Sequence, residues 1–104
     1  MTTIYGLRRT GDREIRYVGR SNRPLENRLK KHVQNAVRMY PPRISAWIRE
    51  AKDIEIFPLT ECQPEDATRL ERETVERCHA DGNRLTNSHL LPSVSHVVAL
   101  ARAA

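Results

Sequence analysis

Tyr5 and Tyr17 each stand mid-way along a short stretch, TTIYGLR and EIRYVGR, in a chain whose aromatic content is only 5%. A phenol there is either a core ring or a hydroxyl held for use, since its O–H both donates and accepts. Further on, Arg28 and His32 are four residues apart, so on a helix they share one side. One supplies forked N–H donors suited to phosphate oxygens; the other has an ordinary pKa near neutrality. Glu71 breaks the apolar pattern of ATRLERETVERC, lying four after Ala67, one after Leu70 and four before Val75. Glu73 and Glu76 fall on the outer side. An inward carboxylate is costly unless paired or metal-bound. Three readings stay open: a boundary residue reaching water, an ion pair with an arginine, or a metal-binding or catalytic role.

Together these groups form an inventory for phosphodiester hydrolysis. That reaction needs an activated water, a cation at the phosphoryl oxygens and help for the leaving oxygen. A hard cation such as Mg²⁺ often takes only one or two carboxylates, with waters and phosphate completing its shell.

The elements that must position these side chains can be read from pattern. Residues 2–8 alternate and read as a strand, Thr10-Gly11-Asp12 as a turn, and residues 14–20 as the returning strand of an antiparallel hairpin. Gly6 and Gly19 follow closely after the tyrosines, and glycine inside a strand marks a close approach of backbone or ligand. Asn22 as cap and Pro24 in the first turn open a helix to about Met39. Its buried stripe is expected to be Leu25, Leu29, Val33 and Ala36, with Arg28 and His32 at the border and Lys30 and Lys31 pointing elsewhere. After Pro41-Pro42, residues 44–52 read as a second helix burying Ile44, Trp47 and Ile48. Residues 54–60 form a third strand, placed at a sheet edge or bend by Pro58. Residues 66–79 form a third helix ended by Gly82. Residues 91–103 have a fourth helical pattern, which either packs on the core or docks a partner. The expected fold class is α+β, a three-stranded antiparallel sheet flanked by helices in a single domain.

Composition narrows the setting. The chain carries +5 net, distributed unevenly. Residues 1–52 hold 13 Lys and Arg against 4 Asp and Glu, and residues 53–104 hold 5 against 9, giving +9 and −4. A basic half suggests a polyanion partner; the blander alternative is that arginines solubilise a small surface. No apolar run approaches the roughly 20 residues that cross a bilayer, and the N-terminus lacks the apolar core of a signal peptide. A cytoplasmic, membrane-free protein is therefore expected. Cys62 and Cys78 make no Cys-x-x-Cys pair, and His79 beside Cys78 lacks zinc-finger spacing.

These residues resemble a GIY-YIG nuclease domain over about residues 2–88, leaving no room for a separate recognition domain. The name-giving elements are Thr3-Ile4-Tyr5 and Tyr17-Val18-Gly19; the helix signature is Arg28-Leu-Lys-Lys-His32; the later glutamate is Glu71 in ATRLERETV; and the asparagine after a glycine turn is Asn87 in DGNRLTN, with Asn83 also available. Thr3 and Val18 depart mildly from the usual glycine and isoleucine. Glu73 is a second candidate ligand, but helical phase favours Glu71.

The resemblance implies that Glu71 is the only protein ligand of one Mg²⁺ or Mn²⁺. It implies that Tyr5 and His32 position and deprotonate the attacking water, with one tyrosine as general base, and that Tyr17 contacts the reacting phosphate or its water. Arg28 would stabilise the transition state, Asn87 would hold the metal-ligand region, and Gly19 would admit the substrate closely. Products would carry a 5′-phosphate and a 3′-hydroxyl. Arg16, Arg20, Arg23 and Lys30, with Arg8, Arg9 and Arg13, are further candidates for backbone contacts. The expected function is a divalent-metal-dependent endonuclease acting on DNA, possibly branched or nicked, with RNA left open. The alternatives are a nucleic-acid-binding module without turnover, a subunit of a larger nuclease or repair complex, or an interaction protein whose last helix docks a partner.

Overall fold

The computed structural model describes residues 1–87. Its elements are β1 (Thr2–Arg9), β2 (Tyr17–Ser21), α1 (Leu25–Val37), α2 (Pro42–Ala51), β3 (Ile54–Cys62) and α3 (Ala67–Ala80), with a single 3₁₀ turn at Pro64–Asp66 leading into α3. The strands form one antiparallel sheet in the order β2-β1-β3. The protein is α+β, as its pattern predicts. The expected helix over 91–103 lies outside the described residues.

Strand alternation divides the core in two. Tyr5 and Leu7 point to one face and pack with Ala36 of α1 and Ile44, Trp47, Ile48 and Ala51 of α2. Ile4 and Val18 point to the other and pack with Ala67, Val75 and Cys78 of α3, together with Cys62 and Leu85. The sheet is thus a middle layer. Pro58 lies on the outer strand β3, where it needs no ladder N–H. It faces Tyr5 at a register shift, with Thr60 already opposite Ile4.

Three local expectations are corrected. The returning strand begins at Tyr17, not at residue 14. The 14–18 backbone is occupied by the segment after α3: Ile15 N donates to Asn83 Oδ1 at 2.8 Å, and Thr86 N donates to the Arg16 carbonyl at 2.6 Å. Asn22 does not cap α1; Pro24 takes that position with no side-chain cap, and Ser21 Oγ instead accepts from Arg23 N at 3.1 Å. The inward stripe of α1 is also rotated by one residue. Val33 is 45% exposed, while His32 and Ala36 are buried. The helix turns its Arg28–His32 edge, rather than Val33, toward the sheet.

Candidate active site

The hairpin register fixes the tyrosines. Tyr5 pairs with Gly19 and Leu7 pairs with Tyr17, so the phenols are diagonal neighbours on the face that α1 covers. Their ring centroids are 6.3 Å apart, and the His32 ring stands edge-on to both, at 5.8 Å from Tyr5 and 5.1 Å from Tyr17. The Tyr5 hydroxyl lies 2.7 Å from His32 Nε2, and Arg28 Nε donates to the same oxygen at 3.2 Å. With the guanidinium as obligatory donor, the economical arrangement is a directed chain: Arg28 donates to Tyr5, and Tyr5 donates to an unprotonated Nε2.

Gly19 makes room for this cluster. A Cβ there would lie 2.5 Å from the Tyr5 hydroxyl oxygen and 3.0 Å from the Tyr17 ring. The close approach signalled by this glycine is therefore made by the protein's own phenol, where the sequence suggested substrate. Gly6 is approached likewise by the Phe57 ring, 2.8 Å from where a Cβ would sit.

The electrostatics follow from burial. Tyr5 is fully buried, and burial, with the Tyr17 phenol adding to it, raises its pKa well above the ordinary value despite the opposing Arg28 charge. Burial also raises Tyr17, and the Glu71 charge raises both phenols. Burial, reinforced by the Arg28 charge, lowers His32 to about 4. At neutral pH the site therefore holds two phenols and a neutral imidazole beside a guanidinium. Neither phenolate is favoured, so a tyrosine acting alone as base is disfavoured, and burial disfavours the imidazolium as well; His32 Nε2 is the unprotonated nitrogen that the Tyr5 hydroxyl faces.

Glu71 comes from α3, on the opposite layer, yet its carboxylate acts on both phenols. β2, which carries Tyr17, is an edge strand of the sheet. The Glu71 side chain is 15% exposed, and its Oε2 lies 3.6 Å from Arg20 Nε. The ion pair anticipated as one alternative is thus formed. Among the described residues no group of three or more His, Cys, Asp and Glu side chains is assembled. A single carboxylate does not match a tetrahedral zinc site, but suits a hard divalent cation that keeps most of its waters.

Asn87 is fully buried and clamps β2: Val18 N donates to its Oδ1 at 3.0 Å, and its Nδ2 donates to the Val18 carbonyl at 2.7 Å. It holds the residue between Tyr17 and Gly19, not the Glu71 region as the resemblance implied. Asn83 is a second clamp, on Ile15 N and on the Cys78 carbonyl. Arg84 adds a third contact through Glu14, whose carboxyl its hydrogen bonds hold at about 2. Asn83, Thr86 and Asn87 together strap residues 15–18 to the segment after α3.

The basic candidates separate. Arg20, Arg23 and Arg28 line one cavity of about 740 Å³, and Lys31 joins them. The sequence reading had Lys31 pointing elsewhere with Lys30; it shares the Arg28 cavity, as same-side spacing of three residues allows. Lys30 is exposed and does not line this cavity. Arg16 lies over the Trp47 ring and donates to the Arg84 carbonyl. Arg8 pairs with Glu55 and lies over Phe57 at the far strand. Among the described residues no helix is long and apolar enough to cross a membrane.

No family model, curated protein or solved structure matches the chain. The functional reading rests on the residues and their geometry.

Proposed function

We propose that the protein is a divalent-metal-dependent endonuclease of the GIY-YIG kind, hydrolysing phosphodiester bonds in DNA. The observation that carries this reading is the Tyr5 hydroxyl held between Arg28 and His32, at 3.2 and 2.7 Å, with the Tyr17 ring alongside. A packing role would need the rings of Tyr5 and Tyr17. It would not need a hydrogen-bonded chain from a half-buried guanidinium through a buried phenol to a buried imidazole, with members from β1 and α1.

In this reading Tyr5 relays a proton. The Tyr5 oxygen is fully buried in the free protein, so the entering strand must open the site; the attacking water then gives its proton to the phenol oxygen as the phenol gives its own to His32 Nε2. The relay avoids a free phenolate but ends on an imidazolium, which burial and the Arg28 charge also disfavour, so the charge of the entering phosphate has to offset that cost. Arg28 faces the charge that develops on the phosphoryl oxygens, and Tyr17 orients the water or the phosphate. Glu71 would hold the cation, which when bound supplies charge neutralisation at the phosphoryl and leaving oxygens. Asn87 and Gly19 are positioning residues: one fixes β2, and the other lets the Tyr5 phenol reach its place.

The test is a panel of single-stranded, duplex, flap and junction DNA, with an RNA counterpart, incubated with Mg²⁺ or Mn²⁺. Cleavage of at least one DNA member leaving 5′-phosphate and 3′-hydroxyl ends is expected. Binding of the whole panel without cleavage of any would favour the binding-module reading.

A further inference from the structure

Arg20 stands between two sites. Its Nε lies 3.6 Å from Glu71 Oε2, and its Nη1 donates to Thr68 Oγ1 at 2.5 Å. The same side chain lines the cavity of about 740 Å³, whose wall also includes Arg28, the residue that donates to Tyr5. The charged lining residues are Arg20, Arg23, Arg28 and Lys31, and no carboxylate is among them. Four like charges on one concave wall focus positive potential and attract an anion. The volume is in the range of small-ligand sites, about 300–1,000 Å³, and is more than one phosphate group fills.

We propose that this cavity seats the backbone phosphate next to the one being cut, and that Arg20 exchanges Glu71 for that phosphate when a strand enters. The proposal rests on the nuclease reading and specifies how its substrate and its metal are linked. At 3.6 Å the Arg20–Glu71 contact is an ion pair beyond hydrogen-bonding distance, and the arginine side chain is 47% exposed. A phosphodiester in the cavity offers the guanidinium shorter, forked, charge-assisted bonds. While Arg20 is paired with Glu71, its charge opposes a divalent cation at that carboxylate. Once it turns to phosphate, that opposition is relieved. Phosphate and cation then bind cooperatively, and each must strengthen the other by the same factor.

Two measurements on the full chain test this. The first is Mn²⁺ affinity without nucleic acid, read from the free-ion electron paramagnetic resonance signal. Arg20→Gln should tighten Mn²⁺ binding by about 5-fold or more. Arg23→Gln removes the same charge from the same cavity but not the Glu71 partner, and should change it far less. Equal tightening in both variants would overturn the exchange. The second is metal-free binding of a fluorescein-labelled single-stranded oligonucleotide, read by anisotropy. Arg20→Gln and Arg23→Gln should each weaken it. Glu71→Gln should strengthen it in the native background, and by less when Arg20 is already Gln. Unchanged affinity in both arginine variants would overturn the cavity as the phosphate seat, while cleavage by the native chain would leave the nuclease reading standing. No binding by the native chain of the single-stranded oligonucleotide or of labelled duplex, flap and junction DNA would overturn both.

Discussion

The Tyr5 hydroxyl and His32 Nε2, 27 residues apart in sequence, meet at 2.7 Å in the buried interior, and Arg28 donates to the same oxygen. This contact joins β1 to α1 and gives the imidazole a proton donor while burial keeps it uncharged.

Removing only the hydroxyl tests the relay. Tyr5→Phe keeps the ring in its core cluster but leaves Nε2 without its partner. We expect a loss of about 10²–10⁴ in kcat and a stability cost of about 1–3 kcal/mol. Single-turnover cleavage and denaturant unfolding would measure the two. A kcat within a few-fold of native would remove Tyr5 from the proton path.

Gly19→Ala asks whether the phenol's position matters when its chemistry is intact. The new Cβ would fall 2.5 Å from the Tyr5 oxygen, inside any tolerated contact. Overpacking should cost about 1–3 kcal/mol, and cleavage should fall much more than the melting temperature suggests. Activity loss that merely follows the unfolded fraction would contradict a positioning role.

Arg28→Ala should lower the cleavage rate about 10²–10³-fold, as losing a transition-state donor does, with oligonucleotide affinity reduced far less. An unchanged single-turnover rate with abolished binding would assign Arg28 to the backbone contacts instead.

His32 gives stability a defined pH dependence. Its pKa is 6.5 when unfolded and about 4 when folded, so the unfolded chain binds the extra proton between those values. Its contribution is therefore complete above about pH 6.5 and is lost as pH falls toward 4, by about 3 kcal/mol in total. The unfolding free energy of the native chain minus that of His32→Gln should decline across this window and be flat above it. A difference that does not change with pH would mean that His32 is not held neutral.

Asn87→Ala removes both hydrogen bonds to Val18 at a fully buried site. Two orphaned backbone groups predict a loss of about 2–5 kcal/mol, read by urea unfolding. A cost below about 1 kcal/mol would show that solvent or another group takes over the clamp.

Much of this was legible in the sequence because period carries it. Alternation in TTIYGLR, helical spacing of Arg28 and His32, and the inward phase of Glu71 gave the strands, the shared helix edge and the odd carboxylate. What period cannot carry was read less well. The phase of α1 was off by one residue because Val33 looks like core, while His32 is buried only through a hydrogen bond from another element. β2 was drawn too long because EIR resembles a strand: Arg16 N still donates to the Leu7 carbonyl, but Ile15 N and the Arg16 carbonyl turn to Asn83 and Thr86, nearly seventy residues away. Arg20 was grouped with the surface arginines, since its pairing with Glu71 is a tertiary contact between β2 and α3.

The most direct test of the account is nicking of supercoiled plasmid by the native chain and by Glu71→Gln, each with Mg²⁺ and with EDTA. The account predicts nicking by the native chain that EDTA stops and Mg²⁺ restores, and a Glu71→Gln variant that folds, binds the plasmid and leaves it intact. Nicking that continues in EDTA, or at a native rate in Glu71→Gln, would contradict it.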